Sequence, residues 1–412
     1  MMDWPTRFDR RHFVGTLAGM GAFAALGSIT KPVAAFAMDH GPELTAAEMQ
    51  GRELVRFPGK VPMILLTDRP PQLETPLQYF FSDLTPNDAF FVRWHLSGIP
   101  TTVDLRTFRL EVSGLVQKPL SLSLDDLKSK FEPVSVVAVS QCAGNSRSFF
   151  RPMVPGGQWT HGAMGNAQWK GVRLKDVLDA AGVRAGATEV YLHGLDVPPV
   201  QATPPFEKSL SLDHARDGEV MIAYEMNGDP LPMLNGFPIR LVVPGWYATY
   251  WVKSLSSITV ADQPLKSFWM QKAYRIPNNA TANEDPSHLS QDTVPINRMA
   301  VHSIFLRPGP GEKLLARRSY QLEGLAMDGG SEIRRVEVSK DGGQSWTDAN
   351  LDPEIGKYSW RRWRADWTPP ARGNYHLMAR ATNAAGEAQL TSQWNRSGYQ
   401  RSVIEQYDAV VL

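Results

Sequence analysis

The chain of 412 residues contains a single cysteine, Cys142. One thiol excludes an internal disulfide, a C-x-x-C-H haem attachment, a cysteine-rich zinc site and an iron–sulfur cluster. Charge of one sign is also lacking. The 43 Lys plus Arg stand against 42 Asp plus Glu, with no block of like charge, so nothing marks a nucleic-acid-binding surface. The nine histidines are scattered and no two stand at H-x-x-x-H spacing, which removes the helical type of metal site. Internal repeats and low-complexity tracts are absent as well.

The rest of the composition is that of an ordinary globular chain, 42% hydrophobic and 21% charged. Its 12 Trp, 31 Pro and 33 Gly favour strands and loops over a helical bundle. The length exceeds what one core serves, so two domains are expected. Residues 1–37 read as an export signal. Arg10 and Arg11 precede an uncharged, Gly/Ala-rich run from His12 to Thr30, and Ala35-Phe36-Ala37 offers a cleavage site. A twin-arginine pair before a weakly apolar core resembles a Tat signal, which implies a periplasmic location. The alternative is a membrane anchor, for which the Gly and Ser content makes the run a poor span; no span is expected in the mature chain. Cleavage removes four cations and two anions and takes the formal charge from +1 to about −1.

Residues 38–105 read as an irregular, Pro-rich lead-in. Strands are expected at 108–112, 134–139 and 239–244, and Phe90 to His95 reads as a strand with Arg93 and His95 on one face. A helix is expected at 124–131 with Ser123 as its N-cap. A second is expected at 174–181, where Leu174, Val177, Leu178 and Ala181 share a face and Gly182 stops it. This is an α+β pattern. Beyond about 291 the texture changes to short strands at 335–339, 345–346, 358–363 and 375–381. Asp341-Gly342-Gly343 provides a hairpin signal, so residues 291–412 read as an immunoglobulin-like sandwich. The expected domains are therefore 38–290 and 291–412.

Cys142 follows an apolar strand and precedes Ala143-Gly144-Asn145, so a tight turn presents the sulfur at a strand end. A free cysteine is more often a small buried hydrophobe, and Arg147 favours the thiolate only where both face one cavity. Arg93 alone is most simply a surface residue in a salt bridge.

Together, several stretches resemble the sulfite oxidase family in the same order along the chain. They are Phe91-Val92-Arg93-Trp94-His95, Cys142-Ala143-Gly144-Asn145, Ala223-Tyr224-Glu225-Met226-Asn227-Gly228, Gly236-Phe237-Pro238-Ile239-Arg240, Val242-Val243-Pro244-Gly245, Val252-Lys253, Val338-Ser339-Lys340-Asp341-Gly342-Gly343 and Trp394-Asn395-Arg396. The resemblance is nearest to the haem-free bacterial sulfite dehydrogenases and spans about residues 90–396. It implies a sulfite-oxidase-type mixed α/β molybdopterin domain followed by an all-β dimerisation domain, and hence a homodimer. It implies molybdenum held by one molybdopterin, with Cys142 as the protein thiolate on the metal and no haem in this chain. Arg93, Arg147 and Arg396 match the family's anion pocket, where Arg forks suit an oxyanion such as sulfite. Tyr274 matches the active-site Tyr and Trp159 the Trp that walls the pocket. His95, Asp196, Arg240 and Lys253 are the implied pterin contacts. Asn235, Trp94 and Tyr250-Trp251 depart from the animal pattern. The implied reaction takes sulfite and water to sulfate, two protons and two electrons, with a separate c-type cytochrome as acceptor. Rival readings are a sulfane dehydrogenase of a thiosulfate-oxidising complex, a methionine sulfoxide reductase subunit, an assimilatory nitrate reductase and an exported non-enzymatic binding module.

Overall fold

The structure, a computed structural model, describes residues 52–309 and 311–412. The expected export signal lies outside the described residues. Among the described residues no helix is long and apolar enough to cross a membrane.

Residues 52–94 are not an irregular lead-in. They form a small sheet of Leu54–Val55, Met63–Thr67, Gln72–Glu74 and Val92–Arg93 in that order. Met63, Leu73, Val92 and Trp94 fill its core. Its strands are two to five residues long, too short for alternation to be visible between the prolines. The strand expected from Phe90 to His95 is only Val92–Arg93.

The next sheet runs Glu207–Ser211, Glu189–Gly194, Leu255–Ala261, Leu110–Gly114, Leu120–Leu122. Only the contact between Leu255–Ala261 and Leu110–Gly114 is parallel. A second, antiparallel sheet holds Asp229–Pro230, Met221–Met226, Met164–Arg173 and Pro133–Gln141, with Arg240–Val242 beside Met221–Met226. Two short helices cover these sheets where the sequence placed them. Leu124–Lys130 opens on a capping box between Ser123 and Asp126. Leu174–Ala181 buries Leu174, Val177, Leu178 and Ala181 and ends at Gly182 with φ 70°, a conformation open to glycine at little cost. The strand Pro133–Gln141 alternates between exposed and half-buried at its start, is buried from Ala138 to Gln141 and delivers Cys142 into the interior.

The C-terminal part is two sheets with a shared core. One orders His302–Arg307, Tyr320–Met327, Arg361–Trp367 and Asn350–Leu351; the other orders Lys313–Leu314, Gln406–Val411, Gly373–Asn383, Ile333–Ser339 and Thr347–Asp348. Trp363 is completely buried between them, with Phe305 edge-on at 5.0 Å. The Asp341-Gly342-Gly343 hairpin turn is present, with φ 70° and 91° at its glycines. The strand expected at 345–346 is instead Thr347–Asp348, because the Asp341 carboxylate caps the turn at Ser345 N–H. Residues 358–360 precede the strand Arg361–Trp367 and lean on the catalytic sheet, where Val139 N–H donates to the Tyr358 carbonyl at 2.8 Å. The ladder of Arg275–Pro277 with Thr293–Pro295 straddles the boundary expected at 290. A core of Val139, Ala143, Met164, Tyr247 and Tyr274 with Ile304, Leu325, Met327 and Trp360 joins the two parts behind Cys142.

Candidate active site

Cys142 is held by its backbone on both sides. Its N–H donates to the Ala163 carbonyl at 2.9 Å, and its carbonyl accepts from Asn145 N–H at 2.9 Å. The Asn145 side-chain oxygen accepts from Ala163 N–H at 2.9 Å, which locks the turn against the neighbouring strand. Ser146 takes φ 67°, and a single 3-10 turn, Arg147–Phe149, follows. The thiol is buried and free, at the junction of two cavities that share Cys142, Arg93 and Tyr274.

The inner chamber, a narrow cavity, is lined by Phe90, Phe91, Arg93, His95, Asn235, Arg240, Thr249 and Lys253 among others. Arg240 lies against the edge-to-face pair of Trp169 and Trp251, 4.9 and 5.6 Å from their centroids. It donates to the Asn235 carbonyl at 3.0 Å. Burial pulls its pKa down to about 9, so it stays charged at neutral pH. Lys253 sits 4.8 Å over the Trp94 ring. Burial and then Arg240 lower its pKa, while Asp196 opposes them. Trp94 thus gives Lys253 a π face, and Asn235 links Phe91 and Lys60 at 3.0 and 2.7 Å; these two of the three departures from the animal pattern have structural work here. His95 stacks on Phe206 at 3.6 Å. Burial, followed by Arg93, Lys253 and Lys208, holds it neutral.

The outer vestibule, of about 360 Å³, is lined by Gln72, Arg147, Gly156, Gly157, Trp159, Lys272, Ser397 and Tyr399, among others, besides the three shared residues. Arg147 is buried and donates to the carbonyls of Gly157 at 3.1 Å and Ser397 at 3.1 Å. Its guanidinium lies 4.9 Å over Tyr399. A Cβ at Gly144, Gly156 or Gly398 would meet the Arg147 side chain at 2.5, 2.8 or 2.8 Å, so three glycines leave room for one arginine. Trp159 is fully buried, and its loop is pinned by the buried Glu74 carboxylate, which accepts from Thr160 N–H and Gly162 N–H at 3.0 Å each. Tyr274 takes φ 56°, a costly backbone for an aromatic residue. That backbone lays the ring parallel to Tyr399 at 5.2 Å and sets the hydroxyl 2.6 Å from His95 Nε2. Burial raises the phenol pKa against the opposing pull of Arg93, so one proton lies between two neutral groups.

The structure therefore brings Arg93, His95, Cys142, Arg147, Trp159, Arg240, Lys253 and Tyr274 around one connected space. It does not bring Arg396 there. The Arg396 guanidinium is forked onto Glu284 at 3.0 and 2.6 Å and donates to the Ser290 carbonyl at 2.6 Å. The next residue, Ser397, faces the vestibule instead. Asp196 is buried but lines neither cavity; it acts on the site through its charge on Lys253. Sequence reasoning missed Lys272, Tyr399 and Gln72, which belong to no motif. It also missed Lys208, buried 4.4 and 5.2 Å over the rings of Tyr250 and Tyr274.

No carboxylate lines either cavity. Arg93 Nη1, Arg240 Nε and Thr249 Oγ1 are buried with no hydrogen-bond partner. Orphaned donors and uncompensated cations of this kind are costly unless an anionic ligand completes them. A single thiol stands among them. The donor set fits a pterin cofactor with a phosphate and a thiolate-bound metal. Cys142 would hold the metal; Arg240, Lys253 and Thr249 would hold polar ends of the cofactor.

Comparison with known proteins agrees. The oxidoreductase molybdopterin-binding domain family matches residues 96–269, and the Mo-co oxidoreductase dimerisation domain family matches residues 293–403. The chain is 34% identical to mitochondrial sulfite oxidase of Rattus norvegicus over 87% of its own length and 66% of that protein. It is 32% identical to the sulfite oxidase of Arabidopsis thaliana over 77% of its own length and 86% of that protein. It thus spans about two thirds of the length of the rat protein. The solved structure of the sulfane dehydrogenase SoxCD from Paracoccus pantotrophus matches with a TM-score of 0.73 and 25% identity, covering 94% of this chain and 97% of that one. The chain belongs to the sulfite oxidase family of molybdenum oxidoreductases.

Proposed function

We propose that this protein oxidises sulfite to sulfate at a mononuclear molybdenum–pterin centre and passes the electrons, one at a time, to a separate periplasmic c-type cytochrome. The observation that carries this reading is the place of Cys142, between a cationic inner chamber and a cationic vestibule. Bound molybdenum would supply two-electron redox chemistry and a transferable oxygen. The chain does the rest. Arg93 and Arg147 bind and orient an oxyanion; Arg147 is already fixed by the Gly157 and Ser397 carbonyls, so it needs little reorganisation, and Arg93 offers a buried Nη1 that has no protein partner. Trp159 and Tyr399 wall the vestibule. Tyr274 holds a proton at its hydroxyl, shared with His95 Nε2, beside the reacting atoms. The test is reduction of cytochrome c by molybdenum-loaded protein with sulfite. Absence of sulfite-dependent reduction would overturn the substrate, and strict dependence on oxygen would overturn the acceptor.

A second reading, oxidation of a carrier-bound sulfane, is favoured by two observations. The likeness to the sulfane dehydrogenase covers nearly the whole of both chains, and the vestibule presents Ser397 and Lys272 where a third arginine was expected. Turnover of carrier-bound sulfane without turnover of free sulfite would decide for it. The twin-arginine pair supports export to the periplasm, and the match to a dimerisation family supports a homodimer; fractionation and sedimentation at micromolar concentration test the two.

A further inference from the structure

The fold gathers two of the scattered histidines behind the vestibule wall, outside the lining of both cavities. His161 comes from the loop that carries Trp159, His302 opens the first strand of the C-terminal part, and Glu405 precedes its last strand. Their ligand atoms all lie within 4.8 Å of one another. We propose that His161, His302 and Glu405 bind a structural zinc ion that ties the vestibule loop to the C-terminal domain.

Three features carry the assignment. His302 is buried, 1% exposed, and neither ring nitrogen has a hydrogen-bond partner. A buried imidazole normally satisfies at least its N–H, so this ring is completed by something else. His161 has Nδ1 engaged with Ser146 Oγ at 2.8 Å and its ring stacked on Phe149 at 4.6 Å. That contact fixes the ring and leaves Nε2 for a metal, the usual arrangement around a metal-bound histidine. Glu405 is itself held by Arg401, at 2.6 and 3.0 Å. A ligating carboxylate is commonly oriented by such a partner, and each oxygen keeps a further lone pair. Two imidazoles and one carboxylate are a zinc donor set, with water as a fourth ligand. Tetrahedral donors around zinc lie about 3.4 Å apart, so the trio closes by at most about 1.4 Å on binding. Burial keeps both imidazoles neutral, the form whose lone pair binds metal.

The site also has a consequence for the vestibule. Ser146 adjoins Arg147, and His161 lies two residues beyond Trp159. Zinc would therefore brace both walls from outside without touching substrate.

The test is metal analysis of untagged, molybdenum-loaded protein, before and after chelation and with zinc restored. About one zinc per chain is expected beside molybdenum, with a rise in melting temperature on restoration. Binding should weaken by at least about tenfold in both H302Q and E405Q. No zinc retained and none taken up at micromolar concentration would overturn the proposal, as would uptake unchanged in those variants. Should the variants fail to fold, cobalt(II) decides on the wild-type chain: intense tetrahedral d–d bands support the site, and their absence refutes it.

Discussion

Replacing Gly144 with alanine tests how the vestibule is built. The new Cβ would lie 2.5 Å from Arg147 Nη2, 2.6 Å from Cζ and 2.7 Å from Nη1. It would meet only the tip of that side chain, so the turn from Cys142 to Arg147 can stay in place. The guanidinium must move, and Gly156 and Gly398 already crowd it from other sides. It then loses its fixed bonds to the carbonyls of Gly157 and Ser397. A charge-assisted hydrogen bond to an anion contributes about 1.5–3 kcal/mol, equivalent to a rise in KM for sulfite of about ten- to 150-fold. Overpacking costs about 1–3 kcal/mol of stability, at the lower end here because a flexible side chain gives way. The assay is steady-state cytochrome reduction with molybdenum content measured on the same sample. KM should rise, kcat should change little, and metal content should be unchanged. G144A combined with R147M should be no worse than R147M alone. An unchanged KM at full metal content would refute the reasoning, as would additive losses in the double variant.

Arg396→Ala should leave KM for sulfite within about twofold and instead cost stability, about 1–3 kcal/mol, because the Glu284 carboxylate, 1% exposed, loses its forked partner; a tenfold rise in KM would place Arg396 in the vestibule after all. Tyr274→Phe removes the 2.6 Å contact with His95 and should lower kcat by about a hundred- to ten-thousandfold with little change in KM; stopped-flow reduction measures it, and an undiminished rate would exclude a proton-holding role. Lys208 has its pKa lowered by burial to about 7, below its unfolded value. Between about pH 7 and 10.5 the unfolded state therefore binds more protons, and stability rises with pH across that window. K208M should flatten the rise in denaturation midpoints, and an identical pH dependence in the variant would remove Lys208 as its source.

Much of this was legible in the sequence, for identifiable reasons. The helix Leu174–Ala181 and its glycine stop follow from 3.6-residue spacing and one left-handed position, both local properties. Ser123 and Asp126 announce a helix start in the same way. Cys142 and its turn were visible as a strand running into small residues. The first sheet was hidden because strands of two to five residues carry almost no periodicity. Arg396, expected in the anion pocket, is turned onto Glu284, and nothing local in Trp394-Asn395-Arg396-Ser397-Gly398 says which side chain faces the cavity. That choice is made by Glu284, 112 residues away. Lys208 and Lys272 were illegible for the same reason, since an isolated lysine acquires meaning only from the rings or the cavity it is brought against.

The central claim is that Cys142 holds molybdenum at the meeting of the two cavities. Molybdenum content and sulfite-dependent cytochrome reduction, measured together on wild type and C142S, test it most directly. The account predicts molybdenum and sulfite turnover in the wild type, and turnover lost in C142S with the metal lost or its thiolate signature gone. Full metal content with full activity in C142S would contradict it.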